Sequence, residues 1–412
     1  MRSQKIRLKL TKEQERFAWW YSKVSRNFWN LLVNIDKRNN KGEFDEILNK
    51  NGNKTYYSKF YDRDVYHLNQ SDYLNLAKFV VAQNYDENED AWSWYYQPNH
   101  SFIYNFLSRE LVKIRKRNKG RLNFRSVNKI QPNFNVVCSV SANKKRPSRI
   151  YLKDNGKLQI PTIGDVRFGS IREDFDLSCK KQVANVSFDG KYWYLSYTED
   201  IETQVTDLPD YTDGVGVDLG IKILAIVSDG TMVPNIKTFR RVRILNKRLK
   251  QFQRKLSHKY LINKCNKHNK TKNIIKLERE IKLIHRSLRN IRINHIRKFV
   301  SELVKKQPQY IAIEDLNVKG MMKNKYLVKD IANCSFYTIR KHLIRKAKER
   351  HIAVRVVDRF YPSSKTCSTC GNYNKDLKLS QRVYYCDNCQ TKIDRDFNAS
   401  LNIAKADKYV LA

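Results

Sequence analysis

Four cysteines in the last fifty residues fall in two tight pairs, Cys367-x2-Cys370 and Cys386-x2-Cys389, with fifteen residues between the pairs. Two knuckles of this spacing supply four thiolates for tetrahedral Zn2+, the arrangement of a zinc ribbon. Four protein ligands leave no coordination position for water, so the spacing implies one structural zinc. Carboxylates make the second group. Asp218 stands inside the otherwise apolar strand GVGVDLG, where an unpaired carboxylate is costly to desolvate and calls for a cation or a hydrogen-bond network. Glu314 repeats the oddity at the end of YIAIED. A third acid comes from KIDRDFNASLNIA, where Asp394 or Asp396 stands at the start of a helix that can project it toward the sheet. Spacing alone does not choose between these two. Three carboxylates converging within a few Å repel one another unless divalent cations neutralise them. Such a trio is the ligand set of a two-metal site for in-line phosphodiester cleavage.

The apolar pattern predicts the elements that carry these residues. From residue 214, GVGVDLGIKILAIVSDGTMV gives two or three consecutive strands with turns near Gly220 and Asp229-Gly230. A long helical stretch, the strand YIAIED, another helix and the strand VRVVD follow. Three strands, helix, strand, helix, strand is the order of an RNase H-like fold, and it puts Asp218 and Glu314 on paired central strands. Within the long helical stretch, Leu245, Leu249, Phe252 and Leu256 form one apolar stripe. Ile274, Leu277, Ile281, Ile284, Leu288 and Ile291 form a second, and the polar run SHKYLINKCNKHNKTKN between them predicts a helical hairpin. His295 continues the second stripe as a packed, hydrogen-bonded histidine rather than a ligand.

Toward the N-terminus, residues 4–10 alternate as a strand (Ile6, Leu8, Leu10), and Thr11 with Glu13 and Glu15 opens a helix carrying Phe17, Trp20, Val24, Phe28 and Leu31. A helical region extends to about residue 125 and is dense in aromatics, among them Trp92, Trp94, Tyr95, Tyr96, Phe102, Tyr104 and Phe106, read mostly as core. Between about 126 and 210 short alternating strands with turns at Asn155-Gly156 and Asp189-Gly190 predict hairpins of a β-barrel or small sandwich. LPDYTDG (208–214) reads as a linker into the next domain.

Charge narrows the partner. The 412 residues hold 81 Lys+Arg against 41 Asp+Glu, a formal charge of +40. Self-repulsion on that scale disfavours a compact chain without a bound polyanion, and nucleic acid is the natural one. Two runs concentrate the charge. Residues 109–125 contain eight basic residues and one acid, with Arg115, Lys116, Arg117, Lys119 and Arg121 as candidate phosphate contacts. Residues 240–256 contain eight basic residues and no acid, with Arg240, Arg241, Arg243, Lys247, Arg248, Lys250 and Arg254 as candidates. No run of about 18 apolar residues occurs, and MRSQKIRLKLTKEQ lacks the apolar stretch of a signal peptide, so no membrane and a cytoplasmic location are expected. Cys138, Cys179, Cys265 and Cys334 are isolated, which suits that compartment.

Taken in order, GVDLGIK, IAIEDLNVKGM, VVDRFYPSSKTCSTCG, YYCDNC and DRDFNASLNIA resemble the TnpB family of transposon-associated RNA-guided nucleases. The resemblance extends to the miniature type V CRISPR effectors with a RuvC nuclease domain, and its motifs span residues 214–404. The first half resembles the family's wedge and recognition domains in character only. The resemblance implies a multidomain α+β chain: a wedge β-barrel (1–10 and 126–210), a helical recognition domain (11–125), a RuvC α/β nuclease domain (211–365 and 393–412) and an inserted, target-binding zinc ribbon (366–392). It places the catalytic triad on Asp218, Glu314 and Asp396, holding two Mg2+ ions. It further implies a guide RNA and a double-stranded DNA target whose short flanking motif is read by the protein and whose remaining sequence is read by base pairing. Oligomeric state is left between a monomer and a homodimer on RNA, in a prokaryotic cytoplasm beside the nucleoid. The family's usual NAA is here Asn398, Ala399, Ser400, a small-for-small change. Two rival readings use parts of the same features: an RNA-independent transposase or Holliday-junction resolvase of the same fold, and a non-cleaving RNA-guided repressor. The intact acids weigh against the repressor, and the charge of +40 favours bound RNA over bare DNA.

Overall fold

The computed structural model describes residues 2–41, 43, 68–83, 101–118, 121–125, 132–137, 150–161, 163–171, 183–199, 213–264, 270–378 and 381–412. Trp92, Trp94, Tyr95, Tyr96, the side chain of Phe102, Lys119, three isolated cysteines (Cys138, Cys179, Cys265) and most of the 208–214 linker lie outside them. Two compact units are present, Met1–Glu202 and Thr203–Ala412. Among the described residues no helix is long and apolar enough to cross a membrane.

In the first unit, β1 (Arg2–Lys9) leads through Thr11 into α1 (Lys12–Asn39). The helix opens on a capping box: the Thr11 hydroxyl accepts the Gln14 N–H at 3.2 Å while the Gln14 side chain accepts the Thr11 N–H at 3.1 Å. Helices α2 (Gln70–Gln83) and α3 (Ser101–Arg117) follow. Six further strands come next: β2 (Asn133–Val137), β3 (Tyr151–Leu152), β4 (Leu158–Ile160), β5 (Gly164–Phe168), β6 (Val183–Phe188) and β7 (Trp193–Glu199). With β1 they form one seven-stranded sheet ordered β2-β6-β7-β1-β5-β4-β3. Both expected hairpins are present, with Gly156 and Gly190 at positive φ in their turns. Helices and sheet share one core, in which Tyr21, Phe28, Leu32, Tyr73 and Tyr104 pack with Ile6, Phe134, Val186 and Leu195.

The second unit is built on a six-stranded sheet, β8 (Val215–Leu219), β9 (Ile223–Val227), β10 (Met232–Pro234), β11 (Tyr310–Glu314), β12 (Ala353–Val357) and an unforeseen edge strand β15 (Tyr409–Leu411), in the order β10-β9-β8-β11-β12-β15. The first three are antiparallel neighbours, and β8, β11 and β12 are parallel. The helical hairpin is α4 (Arg240–Lys264) and α5 (Lys272–Lys305), whose facing stripes join Val242, Leu245, Leu249 and Phe252 to Ile284, Leu288 and Ile291. His295 is half-buried, 2.9 Å from the Pro234 carbonyl and edge-on to Phe239, a structural role as expected. Helices α6 (Val328–Cys334) and α7 (Phe336–Lys348) connect β11 to β12.

The two faces of this sheet are covered differently. Phe299, Val300 and Leu303 of α5 with Ile339 and Leu343 of α7 pack on Val217, Ile311, Ile313 and Val354. On the other face α8 (Arg395–Ala404) lies over Ala312 and Val357 through Ile403. Strand side chains alternate, so Gly216 and Asp218, like Ala312 and Glu314, belong to the α8 face. Gly216 is what lets the helix lie there. A Cβ at this position would overlap the Ser400 carbonyl and the Ala404 amide, both rigid helix backbone. Gly216→Ala should therefore push α8 off the sheet, at a cost of about 1–3 kcal/mol typical of overpacking. A thermal melt of the variant should show a clear drop, and an unchanged melting temperature would refute this account of the contact.

Candidate active site and metal centre

Parallel pairing sets the first two acids side by side. Ile313 stands opposite Val217, so the next positions in register are Glu314 and Asp218, both at the C-terminal ends of their strands. Each is half-buried. Burial, and then the charges of Glu314 and Asp396, push the Asp218 carboxyl up to about 8 against the opposing pull of Arg395. Burial also raises Glu314, opposed by the Ser363 hydroxyl, which donates to Glu314 Oε1 at 2.6 Å. Ser363 is itself held by its backbone, whose carbonyl accepts from Asn402 Nδ2 of α8 at 2.7 Å.

Local hydrogen bonding separates the two late aspartates. Asp394 is the N-cap of α8, its Oδ1 accepting the backbone N–H groups of Asp396 and Phe397 at 3.0 Å each. Asp396 lies in the first helical turn and points its carboxylate elsewhere: Arg395 donates to Oδ1 at 2.8 and 3.1 Å, and Arg382 reaches Oδ2 at 3.4 Å. The site thus couples three carboxylates, two of them half-buried with raised affinity for protons, to the guanidinium of Arg395. A buried surplus of negative charge of this kind suits a divalent cation.

The four cysteines do come together: their sulfurs lie within 4.8 Å of one another, with Cys367–Cys389 at 3.6 Å and Cys370–Cys386 at 3.5 Å. Sulfurs about 2.3 Å from a tetrahedral Zn2+ stand about 3.8 Å apart, so the cluster fits that ion. Among the described residues this is the cluster that gathers three or more ligand atoms so closely; the carboxylates are more widely spread. The Thr391 hydroxyl, 3.0 Å away, and its backbone N–H hold the Cys389 thiol down at about 6. For Cys386, backbone N–H groups at Cys389 favour the thiolate, yet burial and the neighbouring Cys370 and Cys389 sulfurs push it up to about 11. The second knuckle lies in the turn of a hairpin, β13 (Val383–Tyr385) paired with β14 (Lys392–Asp394), and β14 runs into α8 with no residue between.

Two residues that motif reading passed over tie the first knuckle to the same helix. Asn398 is fully buried, donates to the Thr366 carbonyl at 2.7 Å and accepts the Ser368 N–H at 2.9 Å. Asn402, one turn on, donates to the Thr366 carbonyl at 2.6 Å. An Asn pair four apart on one face of the helix was the available signal. Ser400 is fully buried, its hydroxyl donating to the Phe397 carbonyl at 2.7 Å.

The basic candidates divide. On α4, Arg240, Arg241, Arg243, Lys247, Arg248, Lys250 and Arg254 are all exposed, with Arg248 touching Glu280 at 3.5 Å. In the first unit Lys116, Arg117 and Arg121 are exposed. Arg115 corrects the expectation. Its side chain is 12% exposed and pairs with the buried Asp36 at 3.2 Å, where Tyr73 also donates at 2.5 Å. Leaving Asp36 unpaired in the core would be costly, so Arg115 is a structural cation rather than a phosphate contact.

Fold and site together define a mixed α/β protein with a carboxylate cluster on a sheet beside a four-cysteine metal site. Residues 196–325 match the family model OrfB_IS605, described as "Probable transposase", and residues 336–403 match the Cas12f1-like TNB domain. The resemblance to TnpB and Cas12f1 carried by the motifs is thereby shown for the second half of the chain. A Streptomyces pristinaespiralis protein named "Putative RNA-guided DNA endonuclease" is 33% identical over 214 residues, 52% of this chain and 50% of that one. The CRISPR-associated endodeoxyribonuclease Cas12f1 of Sulfoacidibacillus thermotolerans is 28% identical over 224 residues, again 52% and 50%. The chain thus spans about half the length of these relatives. Among solved structures, Cas12f1 in a complex with sgRNA and target DNA aligns over 99% of both chains with a TM-score of 0.52 and 14% identity, a likeness of fold.

Metal-replete protein should contain one zinc per chain by elemental analysis. Cys367→Ser should lower both that value and the melting temperature, because β14 and α8 lose their anchor; full zinc retention would argue against the assignment. The Asp218 carboxyl gives a second test. Its folded value of about 8 stands above the ordinary 3.8, so the folded chain keeps a proton that the unfolded chain sheds. That destabilises the fold progressively as pH rises from the ordinary value to the folded one. Asp218→Asn in zinc-loaded, magnesium-free protein should therefore raise the melting temperature, by an increment that grows from pH 6 to pH 8 and levels off above. An increment independent of pH would show that the carboxyl is not strained.

Proposed function

We propose that this chain is an RNA-guided DNA endonuclease. The observation that carries the proposal is the juxtaposition of Asp218 and Glu314 on adjacent parallel strands under a helix that brings Asp396 into their field. In this reading the second unit is a RuvC nuclease of RNase H-like fold with a zinc ribbon inserted between β12 and α8. The first unit supplies the wedge and recognition surfaces. The relatives' names support the activity, and the exposed cations of α4 support a nucleic-acid partner held through its phosphates.

Asp218, Glu314 and Asp396 would hold two Mg2+ ions, which when bound supply an activated water and a stabilised leaving oxygen for phosphodiester hydrolysis. The chain's own groups prepare that site. Ser363 fixes one oxygen of Glu314, Asp394 anchors the first turn of α8, and Arg395 and Arg382 balance Asp396. A guide RNA would lie on the basic surfaces and a short flanking DNA motif would be read by the protein. The cysteines would hold one structural Zn2+. An RNA-independent transposase is the second reading, favoured by the description of the family matched at residues 196–325.

The chain purified from its host at moderate salt should carry RNA, which sequencing would identify. With that RNA, Mg2+-dependent cutting of a matched duplex should fall by several orders of magnitude in Asp218→Ala, Glu314→Ala and Asp396→Ala, with guided binding retained. Asp394→Ala should lose about 1 kcal/mol of stability as a cap and keep most of its cutting. Nucleic-acid-free, stable protein that cuts DNA unaided would favour the transposase. Full cutting by Asp396→Ala, with none by Asp394→Ala, would reverse the two roles.

A further inference from the structure

A groove of about 230 Å³ opens directly beside Glu314, floored by Leu219 and Ile313 and walled by Tyr337, Arg340 and Arg359. Three features distinguish it from a packing gap. Tyr337, the second residue of α7, is 71% exposed although the same helix buries Phe336, Ile339 and Leu343. A large ring held in water at the rim of an apolar groove has stacking faces and, among the described residues, no ring to stack on. Next, Arg340 and Arg359 are fixed by one carboxylate: Asp315, the residue after Glu314, accepts from Arg340 Nη1 at 2.8 Å and from Arg359 Nη2 at 2.5 Å, and its carbonyl accepts Arg359 Nε at 3.1 Å. A guanidinium has five N–H donors, so both retain donors for a further acceptor, and both are more than one-third exposed. Lastly, Lys319, Arg340 and Arg359 outnumber the two carboxylates at the groove, Glu314 and the arginine-binding Asp315, so the wall is cationic.

Fixed guanidinium donors, an exposed ring and an adjoining metal-type acid together match one nucleotide of an unpaired strand. We infer that this groove seats a single nucleotide of single-stranded DNA next to the bond to be cut, its base stacked on Tyr337 and its phosphate held by Arg340 and Arg359. A base still paired within a duplex cannot offer a face to the ring, so the seat selects melted strand. Asp315 is then a positioning residue, acting through the arginines. This inference rests on the endonuclease reading for its biological meaning, and the test below separates the two.

The RNA-bound full chain is irradiated with a single-stranded deoxyoligonucleotide carrying 5-iodouracil, in Ca2+ in place of Mg2+. The adduct should map to the peptide containing Tyr337, vanish in Tyr337→Ala and persist in Tyr337→Phe, which keeps the ring. In Mg2+, an abasic nucleotide scanned through the target should slow cutting by about 10-fold at one position, the loss expected for one base–aromatic stack. Tyr337→Ala should cut slowly on every substrate and lose that positional dependence, with guided binding unchanged. An adduct elsewhere, or an abasic profile identical in Tyr337→Ala and the parent, overturns the seat. An adduct at Tyr337 from a chain that never cuts in Mg2+ upholds the seat and overturns the endonuclease reading.

Discussion

The approach of α8 to β8 at Gly216 is the contact on which the site of the second unit depends. Asp218 and Glu314 come together through strand pairing, but Asp396 reaches them only because a glycine on β8 and an alanine on β11 leave room for a helix backbone against the sheet. The same helix is stitched along its length: Tyr310 donates to the Ala404 carbonyl at 2.9 Å, and Asn398 and Asn402 hold the Thr366 carbonyl. Thr366 precedes the first cysteine pair, and β14, which follows the second pair, enters α8 directly. Both cysteine pairs are therefore fastened to the helix that carries Asp396. The four thiolates and the three carboxylates are chemically unrelated sites, yet a disturbance of the first must move the second.

Electrostatics impose a second constraint. A chain of charge +40 gathers half-buried carboxylates at one place on the sheet of its second unit, and burial pushes the Asp218 carboxyl up to about 8. The surrounding cations partition by their surroundings. Arg395, 12% exposed, is spent on Asp396, and Arg115 in the first unit is spent on Asp36. The α4 cations are exposed, and α4 contains no acid to pair with them, so their mutual repulsion falls when a polyanion lies along them. Sequence counts treat all these residues alike. Burial separates those that hold the fold from those free to face a ligand.

That distinction explains which parts were legible in the sequence. Asp218 and Glu314 were readable because a carboxylate in an apolar strand is an anomaly under any fold, and the cysteine spacing because tetrahedral ligation fixes it. The capping box at Thr11 and the α4–α5 stripes followed from local periodicity. Arg115 was misread because its partner Asp36 lies 79 positions earlier and only tertiary packing joins them. Strand β15, with Val410 72% exposed and Leu411 67% exposed, carries no alternating pattern that a strand reading can use; its pairing to β12 defines it. The groove at Tyr337 was equally invisible, since an exposed aromatic in a helix reads as core until the opposite face is seen to be full.

The sequence Asp394-Arg395-Asp396 compresses three different tasks into three consecutive residues. An N-cap must keep extended backbone so that its side chain can fold back onto the first free amides, and Asp394 does so with φ −58° and ψ 131°. That posture commits one carboxylate oxygen to Asp396 and Phe397, leaving the residue a poor candidate for a metal ligand that needs its oxygens directed at the sheet. Asp396 is already helical, its backbone N–H consumed by the cap, and its side chain is held by Arg395 and Arg382 rather than by the helix backbone. Arg395 between them pairs with Asp396, its guanidinium donating to Oδ1 at 2.8 and 3.1 Å. Reversing the roles would require the helix to start two residues later, which would unseat Asn398 and Asn402 from the ribbon. In the proposed reading, the hydrogen bonds of the helix that follows are what favour Asp396 over Asp394 two positions earlier.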